Sequence, residues 1–121
     1  MREERGQIAG DVTVAEPLEL TGSVGGNVFV VEGGKFYLRG AIYGNLVIEP
    51  GGRCHIYGQV KGDVTLREKT KLIHSGVIGG SLINDGGRLF VDRISKVGGK
   101  IKTHAGETKF EGGHAPKHLE S

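Results

Sequence analysis

The segment IYGNLVI at residues 42–48 is followed, eighteen residues later, by VKGDVTL at residues 60–66. The same phrase occurs in four further copies: IAGDVTV (8–14), VGGNVFV (24–30), IGGSL (78–82) and VGGKI (97–101). A fixed internal period of this kind is typical of stacked-repeat proteins, in which each copy forms one coil. Six copies therefore predict about six coils.

Each eighteen-residue repeat divides into three hexads, because an apolar residue returns every six positions. Apolar and other residues alternate within the hexads, which is the period of a β-strand, and glycine pairs such as Gly33-Gly34 mark corners. Glycine at this density would weaken a helix by roughly 1 kcal/mol per residue. We predict an all-β, single-domain, three-sided parallel β-helix, that is, a β-solenoid.

Stacked coils place equivalent residues about 4.8 Å apart, so the inward columns become ladders of aliphatic side chains. Corner columns become glycine, where φ is positive or no room exists for a Cβ. The predicted inward positions are Ile8, Val12, Val14, Leu18, Leu20, Val24, Val28, Val30, Phe36, Leu38, Ile42, Leu46, Ile48, Cys54, Ile56, Val60, Val64, Leu66, Leu72, Ile78, Leu82, Leu89, Val91, Val97 and Ile101.

The repeat occupies residues 8–110, between a predicted flexible lead at 1–7 and a predicted disordered tail at 111–121. Neither flank resembles a capping helix, and an uncapped coil exposes unpaired backbone groups that invite end-to-end stacking. We hypothesise that another copy extends the strand ladder through two end surfaces, formed by Ile8, Val12, Val14, Leu18 and Leu20 at one end and by Val97, Ile101 and Phe110 at the other.

Composition limits the classes of partner. The chain has 16 Lys and Arg against 14 Asp and Glu, with both signs scattered along the sequence. A nucleic-acid surface needs clustered cations, so no nucleic-acid partner is predicted.

The single cysteine, Cys54, precludes an internal disulfide. No segment approaches the ~18–20 apolar residues of a membrane span, and the N-terminus lacks a signal-peptide pattern, so we expect a cytoplasmic protein without evident membrane association.

The sequence predicts no catalytic residue, cofactor or metal ligand. His114 and His118 lie four apart in a Gly/Pro-rich tail, where helical spacing has no meaning. His74 falls in an inward column and is predicted to be partly buried and hydrogen-bonded. The glycine pairs lack the Lys-Ser/Thr of a phosphate loop. No nucleophile, base and orienting group fall together, so we predict that the protein is not an enzyme.

Two outer columns have distinct compositions. The column that follows the corner glycine is polar and suits turn capping by short side chains: Asp11, Asn27, Asn45, Asp63 and Ser81. A second outer column contains Tyr37, His55, Ile73 and Phe90. This second column is either a lateral contact face or a set of residues with high strand propensity.

The recurring Gly-Asp/Asn-aliphatic phrase, as in QVKGDV (59–64) and AIYGNL (41–46), resembles the bactofilins, the bacterial polymer-forming cytoskeletal family. The resemblance covers nearly the whole chain, from about residue 7 to 110. It implies a right-handed β-helix that polymerises with itself through its ends without nucleotide, and a non-enzymatic scaffold that recruits other proteins.

Two alternatives come from other classes. Left-handed hexapeptide-repeat acyltransferases also have eighteen-residue coils, but they favour Gly, Ala, Glu or Asp after the aliphatic residue, where this chain has Val31, Tyr43 and Lys61. The third interpretation is a non-polymerising β-helix module that presents the Tyr37–Phe90 face to a protein partner.

Overall fold

The computed structural model describes residues 2–111 and 119–120. These residues form eighteen β-strands and no α-helix, and every strand pairing among them is parallel. The strands stack in three walls. The prediction of a β-solenoid of about six coils is confirmed, and the right-handed path stays a prediction.

Wall A is a six-stranded sheet of two-residue strands. Its members are β2 (Gln7–Ile8), β5 (Ser23–Val24), β8 (Ala41–Ile42), β11 (Gln59–Val60), β14 (Val77–Ile78) and β16 (Lys96–Val97).

Walls B and C contain the remaining strands. Wall B stacks β3 (Val12–Val14), β6 (Val28–Val30), β9 (Leu46–Ile48), β12 (Val64–Leu66), the first parts of β15 (Leu82–Val91) and β17 (Ile101–Phe110), and β18 (Leu119–Glu120). Wall C stacks β1 (Arg2–Glu4), β4 (Pro17–Leu20), β7 (Lys35–Leu38), β10 (Arg53–Ile56), β13 (Lys71–His74) and the last parts of β15 and β17.

The core fills the prism between the walls. Every buried apolar side chain of the described residues belongs to the predicted inward set. Ile8 and Val12 are half-buried and pack against this core at one end, and Phe110 does so at the other. Because a buried aliphatic side chain contributes roughly 1.5–3 kcal/mol, the stacked columns are the main stabilising element of the fold.

The polar outer column forms a ladder between coils. The Asn27 amide N–H donates to Asp11 Oδ1 at 2.8 Å, and the Asn45 N–H donates to Asn27 Oδ1 at 2.8 Å. The pattern continues through Asp63 to Ser81. We predicted that these side chains would cap their own turns; they bond instead to the next coil, because stacking places its amide directly opposite.

One corner shows that the fold can impose a glycine conformation on another residue. Gly33 and Gly51 have φ angles of +85° and +88°, and Lys69 occupies the same column with φ +56°. A non-glycine residue rarely adopts this left-handed conformation. Lys69 is therefore held there by the stack of coils.

The corner between walls B and C is shortened after Asn84. Asn84 stands in the inward column of Ile48 and Leu66 and is buried. Its Oδ1 accepts the Gly87 N–H at 2.9 Å, and its Nδ2 donates to the Glu107 carbonyl at 3.0 Å. These bonds satisfy the amide inside the core, and β15 runs without a break from wall B into wall C.

The flanks contain more structure than their sequence predicts. Arg2–Glu4, within the predicted flexible lead, forms β1 and pairs with β4. Leu119–Glu120, within the predicted tail, forms β18 and pairs with the start of β17. Both predictions missed these strands, because pairing with an open sheet edge uses backbone groups and needs no apolar pattern.

Replacing Gly26 with alanine is expected to destabilise the protein by about 1–3 kcal/mol, as overpacking does. A Cβ at Gly26 would lie 2.4 Å from Asp11 Oδ1 and 2.5 Å from the Gly10 carbonyl carbon. Gly25→Ala is the matched control, since its Cβ would meet nothing closer than 3.6 Å. Denaturant unfolding of both variants measures the effect, and equal losses of stability would contradict this explanation.

Candidate functional site

The N-terminal end of the prism presents three strand edges. β1, β2 and β3 are the last strands of their walls, and each pairs on one side only. Ile8 and Val12 are half-buried here, so part of the core faces outward at walls A and B. On wall C the strand β1 instead places Arg2 and Glu4 in register with Leu18 and Leu20.

The C-terminal end presents three edges as well. β16 ends wall A, the last part of β17 ends wall C, and β18 ends wall B among the residues that the structure describes. Phe110 is half-buried at this end, beside the core. Each end therefore combines unpaired backbone groups with incompletely covered apolar side chains.

The structure locates each predicted end residue relative to these edges. Leu18 and Leu20 lie between β1 and β7, and Ile101 lies between β15 and β18, so these three are one strand inside the edge. The others stand in the terminal strands themselves: Ile8, Val12, Val14, Val97 and Phe110.

The predicted lateral face is a true column on wall C. Strand register places His55 beside Tyr37 and Ile73, and Ile73 beside Phe90. Phe90 is 39% exposed, whereas Tyr37, His55 and Ile73 are half-buried. We call these four residues the ring column.

A second outer column on the same wall was not recognised in the sequence. Lys35 lies beside Arg53, Arg53 beside Lys71, and Lys71 beside Arg88. All four side chains are exposed, and we call them the basic column. The signal was present as cations eighteen, eighteen and seventeen residues apart. These cations are far apart along the chain and become neighbours only in the register of the strands.

Shallow grooves separate the two columns. One, of about 200 Å³, is lined by Lys35, Arg53 and Lys71 on one side and by Tyr37, His55 and Ile73 on the other. The next, of about 290 Å³, shares Lys71 and continues past Arg88 and Phe90 to Glu107 and Lys109. Wall C thus carries a track of two adjoining grooves, with cations along one margin and the ring column, in which Ile73 is aliphatic, along the other.

A hydrogen-bonded chain lies beside the ring column and links His55, Ser75 and Asp92. The Ser75 hydroxyl donates to Asp92 Oδ2 at 3.0 Å, and His55 Nε2 lies 3.2 Å from Ser75 Oγ. Since the single hydroxyl proton goes to the carboxylate, the imidazole donates its own proton to Oγ. A catalytic triad has the opposite order, with the imidazole accepting from the hydroxyl and the carboxylate bonded to the imidazole.

Ser75 and Asp92 are equivalent positions of neighbouring coils, because they directly follow the paired residues His74 and Val91. The apolar pattern of the sequence gives no signal for this polar contact. The His55 ring stacks on the Tyr57 ring, with 3.8 Å between the ring centroids. The guanidinium carbon of Arg39 lies over the Tyr57 ring, 4.3 Å from its centroid. Burial, together with the charge of Arg39, lowers the pKa of His55. These contacts fix the orientation of side chains on wall C.

The remaining histidines form no site in the part of the chain that the structure describes. His74 was predicted to be partly buried and hydrogen-bonded; it is fully buried, and its Nε2 donates to the Lys96 carbonyl at 3.0 Å. His104 is exposed, and His114 and His118 lie outside the described residues. Within residues 2–111 and 119–120, no group of three or more His, Cys, Asp or Glu side chains is arranged to hold a metal ion.

Cys54 is buried, and burial raises the pKa of its thiol. Among the described residues, none belongs to a helix with the length and hydropathy of a membrane span. No protein-family model, curated protein or solved structure matches the chain.

His74 is expected to make folding stability pH-dependent. Its Nδ1 is buried without a partner in the described structure, and burial lowers its pKa. Below about pH 6.5 the His74 side chain binds a proton in the unfolded chain but stays neutral in the folded protein. The free energy of unfolding therefore falls by up to about 1.4 kcal/mol for each pH unit. Above pH 6.5 this contribution is constant.

The control is His74→Leu, which restores the aliphatic residue found at Leu38 and Ile56 in the same column. Urea unfolding between pH 5 and pH 8 is expected to show a shallower acid slope for the variant than for the wild type. His55, whose pKa is also lowered, is retained in both proteins and cancels in the comparison. Identical slopes would contradict the assignment to His74.

Proposed function

We propose that the protein is a non-enzymatic, bactofilin-like scaffold that assembles end to end into filaments without nucleotide. The observation that carries this proposal is the pair of open ends, each with three terminal strands and with apolar side chains that the core does not fully cover. An exposed parallel strand edge is a template for pairing with another chain. The spacing of the repeat in the sequence supports the same proposal.

The energetics of a junction favour assembly. Completing the burial of Ile8 and Val12 at one end, and of Phe110 at the other, removes apolar surface from water at about 25 cal/mol per Å². Each new backbone hydrogen bond adds roughly 0.5–1.5 kcal/mol. The terminal strands are already paired with their inner neighbours, so extending the ladder costs little further conformational entropy.

The hydrogen bonds among His55, Ser75 and Asp92 on wall C support a role without catalysis. The Ser75 hydroxyl donates a hydrogen bond to Asp92 and accepts one from the His55 imidazole, so it lacks the hydroxyl-to-imidazole hydrogen bond of a catalytic triad. Filament formation also needs no bound cofactor, since backbone pairing and apolar contact supply the interface. A cytoplasmic location and the recruitment of other proteins are parts of this proposal.

The test is the variant Val12→Lys. A lysine at this half-buried position on the N-terminal end would place a charge in the junction and is expected to raise the critical concentration for assembly by at least about tenfold, which corresponds to about 1.4 kcal/mol. Pelleting and negative-stain electron microscopy of nucleotide-free protein measure the effect. Phe110→Glu is a second variant that acts at the opposite end.

Thr13→Lys is the matched control, because Thr13 is the exposed neighbour of Val12 in the same strand. It introduces the same charge outside the junction and should leave filaments intact. Thermal unfolding establishes that all variants remain folded. Wild-type protein that stays monomeric at high concentration, or Val12→Lys protein that polymerises as the wild type does, would overturn the proposal.

A further inference from the structure

We infer that wall C binds single-stranded nucleic acid, with the phosphates along the basic column and the bases against the ring column. This inference does not depend on the proposed assembly. It departs from the expectation of no nucleic-acid partner, because cations that are scattered along the sequence form a column in the structure. Binding sites for single strands combine a positively charged groove that follows the backbone with aromatic side chains on which bases stack. The two columns and the grooves between them have this arrangement.

The basic column is an unusual concentration of like charge. Strand spacing places its four cations about 4.8 Å apart, and none of them forms an ion pair with a carboxylate of the described residues. Other exposed cations in the same molecule are paired, such as Arg39 with Glu19 and Arg67 with Glu49. The repulsion along the column is relieved when a row of anions lies on it.

The shape of the track selects an extended strand. Four rungs span about 14 Å in a straight line, and an extended single strand can lay successive phosphates along such a line. A duplex carries its phosphates on a helical path, which diverges from a straight column. Glu19 and Glu107 stand at the two ends of the track, so the positive surface has defined limits.

The ring column favours nucleic acid over other polyanions. Phe90 offers an exposed π face in one groove, and Tyr37 and His55 offer half-buried rings in the other, where one face of His55 already stacks on Tyr57. Bases stack on such rings in a sequence-tolerant way. A membrane-binding face would insert several apolar side chains about 5–10 Å below the headgroups, whereas Phe90 is the one exposed member of the ring column.

The first experiment measures the salt dependence of binding to a labelled single-stranded oligodeoxynucleotide of about twelve nucleotides by fluorescence anisotropy. Four phosphate contacts predict a slope of about −2.8 for log K against log salt. Arg53→Gln combined with Lys71→Gln should halve the slope and weaken binding by about one to two orders of magnitude at ~50 mM salt. The matched control is Lys61→Gln combined with Lys96→Gln, which removes the same charge from exposed positions along wall A and should leave the slope unchanged.

The second experiment tests stacking. Phe90→Leu keeps an apolar side chain but removes the π face, and it should weaken binding roughly 5- to 100-fold. Tyr43→Leu, which removes an exposed ring beside wall A, should have no effect. Val12→Lys protein should bind the oligonucleotide with the wild-type affinity per protomer. This result would separate the inference from the assembly proposal.

Three outcomes would overturn the inference: no binding at ~50 mM salt, equal slopes for the two double variants, or unchanged affinity for Phe90→Leu. Heparin and phosphatidylserine vesicles serve as parallel probes. Binding to either one that depends on the basic column, with no binding to the oligonucleotide, would assign wall C to an acidic polysaccharide or a membrane surface instead.

Discussion

Each inner coil of this protein is hydrogen-bonded along its length to the coil before it and the coil after it, with equivalent residues opposite one another. This pairing controls the composition of the whole chain, because a residue must suit the copies of itself on both sides. Aliphatic side chains satisfy that requirement inside the prism, and Phe36, Cys54 and Leu72 stack as one inward column. Outside, the same requirement turns isolated residues into rows, such as the ladder from Asp11 to Ser81.

The period of the sequence was sufficient to predict the core, the corners and the register. The apolar hexads placed Ile42, Val60 and Ile78 in one column, and the structure pairs them in that order. The ring column was found in the same way, because its members keep the period. The fold is therefore predictable from the sequence wherever a residue has equivalents in neighbouring coils.

Features that depend on a departure from the period were not predictable. Asn84 entered the core where the chain loses one residue. The contact between Ser75 and Asp92 keeps the register, since these residues directly follow the paired His74 and Val91, but their column has no shared residue type to mark it. The strands β1 and β18 pair through backbone groups, and this pairing requires no apolar pattern in their sequences. The basic column differs from these cases, because its spacing is visible in the sequence. Its four cations become neighbours only when the column register of the inward residues is applied to the outward residues as well.

The polar ladder has a direction and a last member. Each side chain accepts the amide of the following coil, from Asp11 as far as Ser81, whose Oγ accepts the Lys100 N–H at 3.1 Å. Lysine has no side-chain acceptor, so the next amide in line would find no partner of this type. On this wall β18 is therefore held to β17 by backbone pairing without this row of bonds, and it would be the first strand to detach when the C-terminal end is opened.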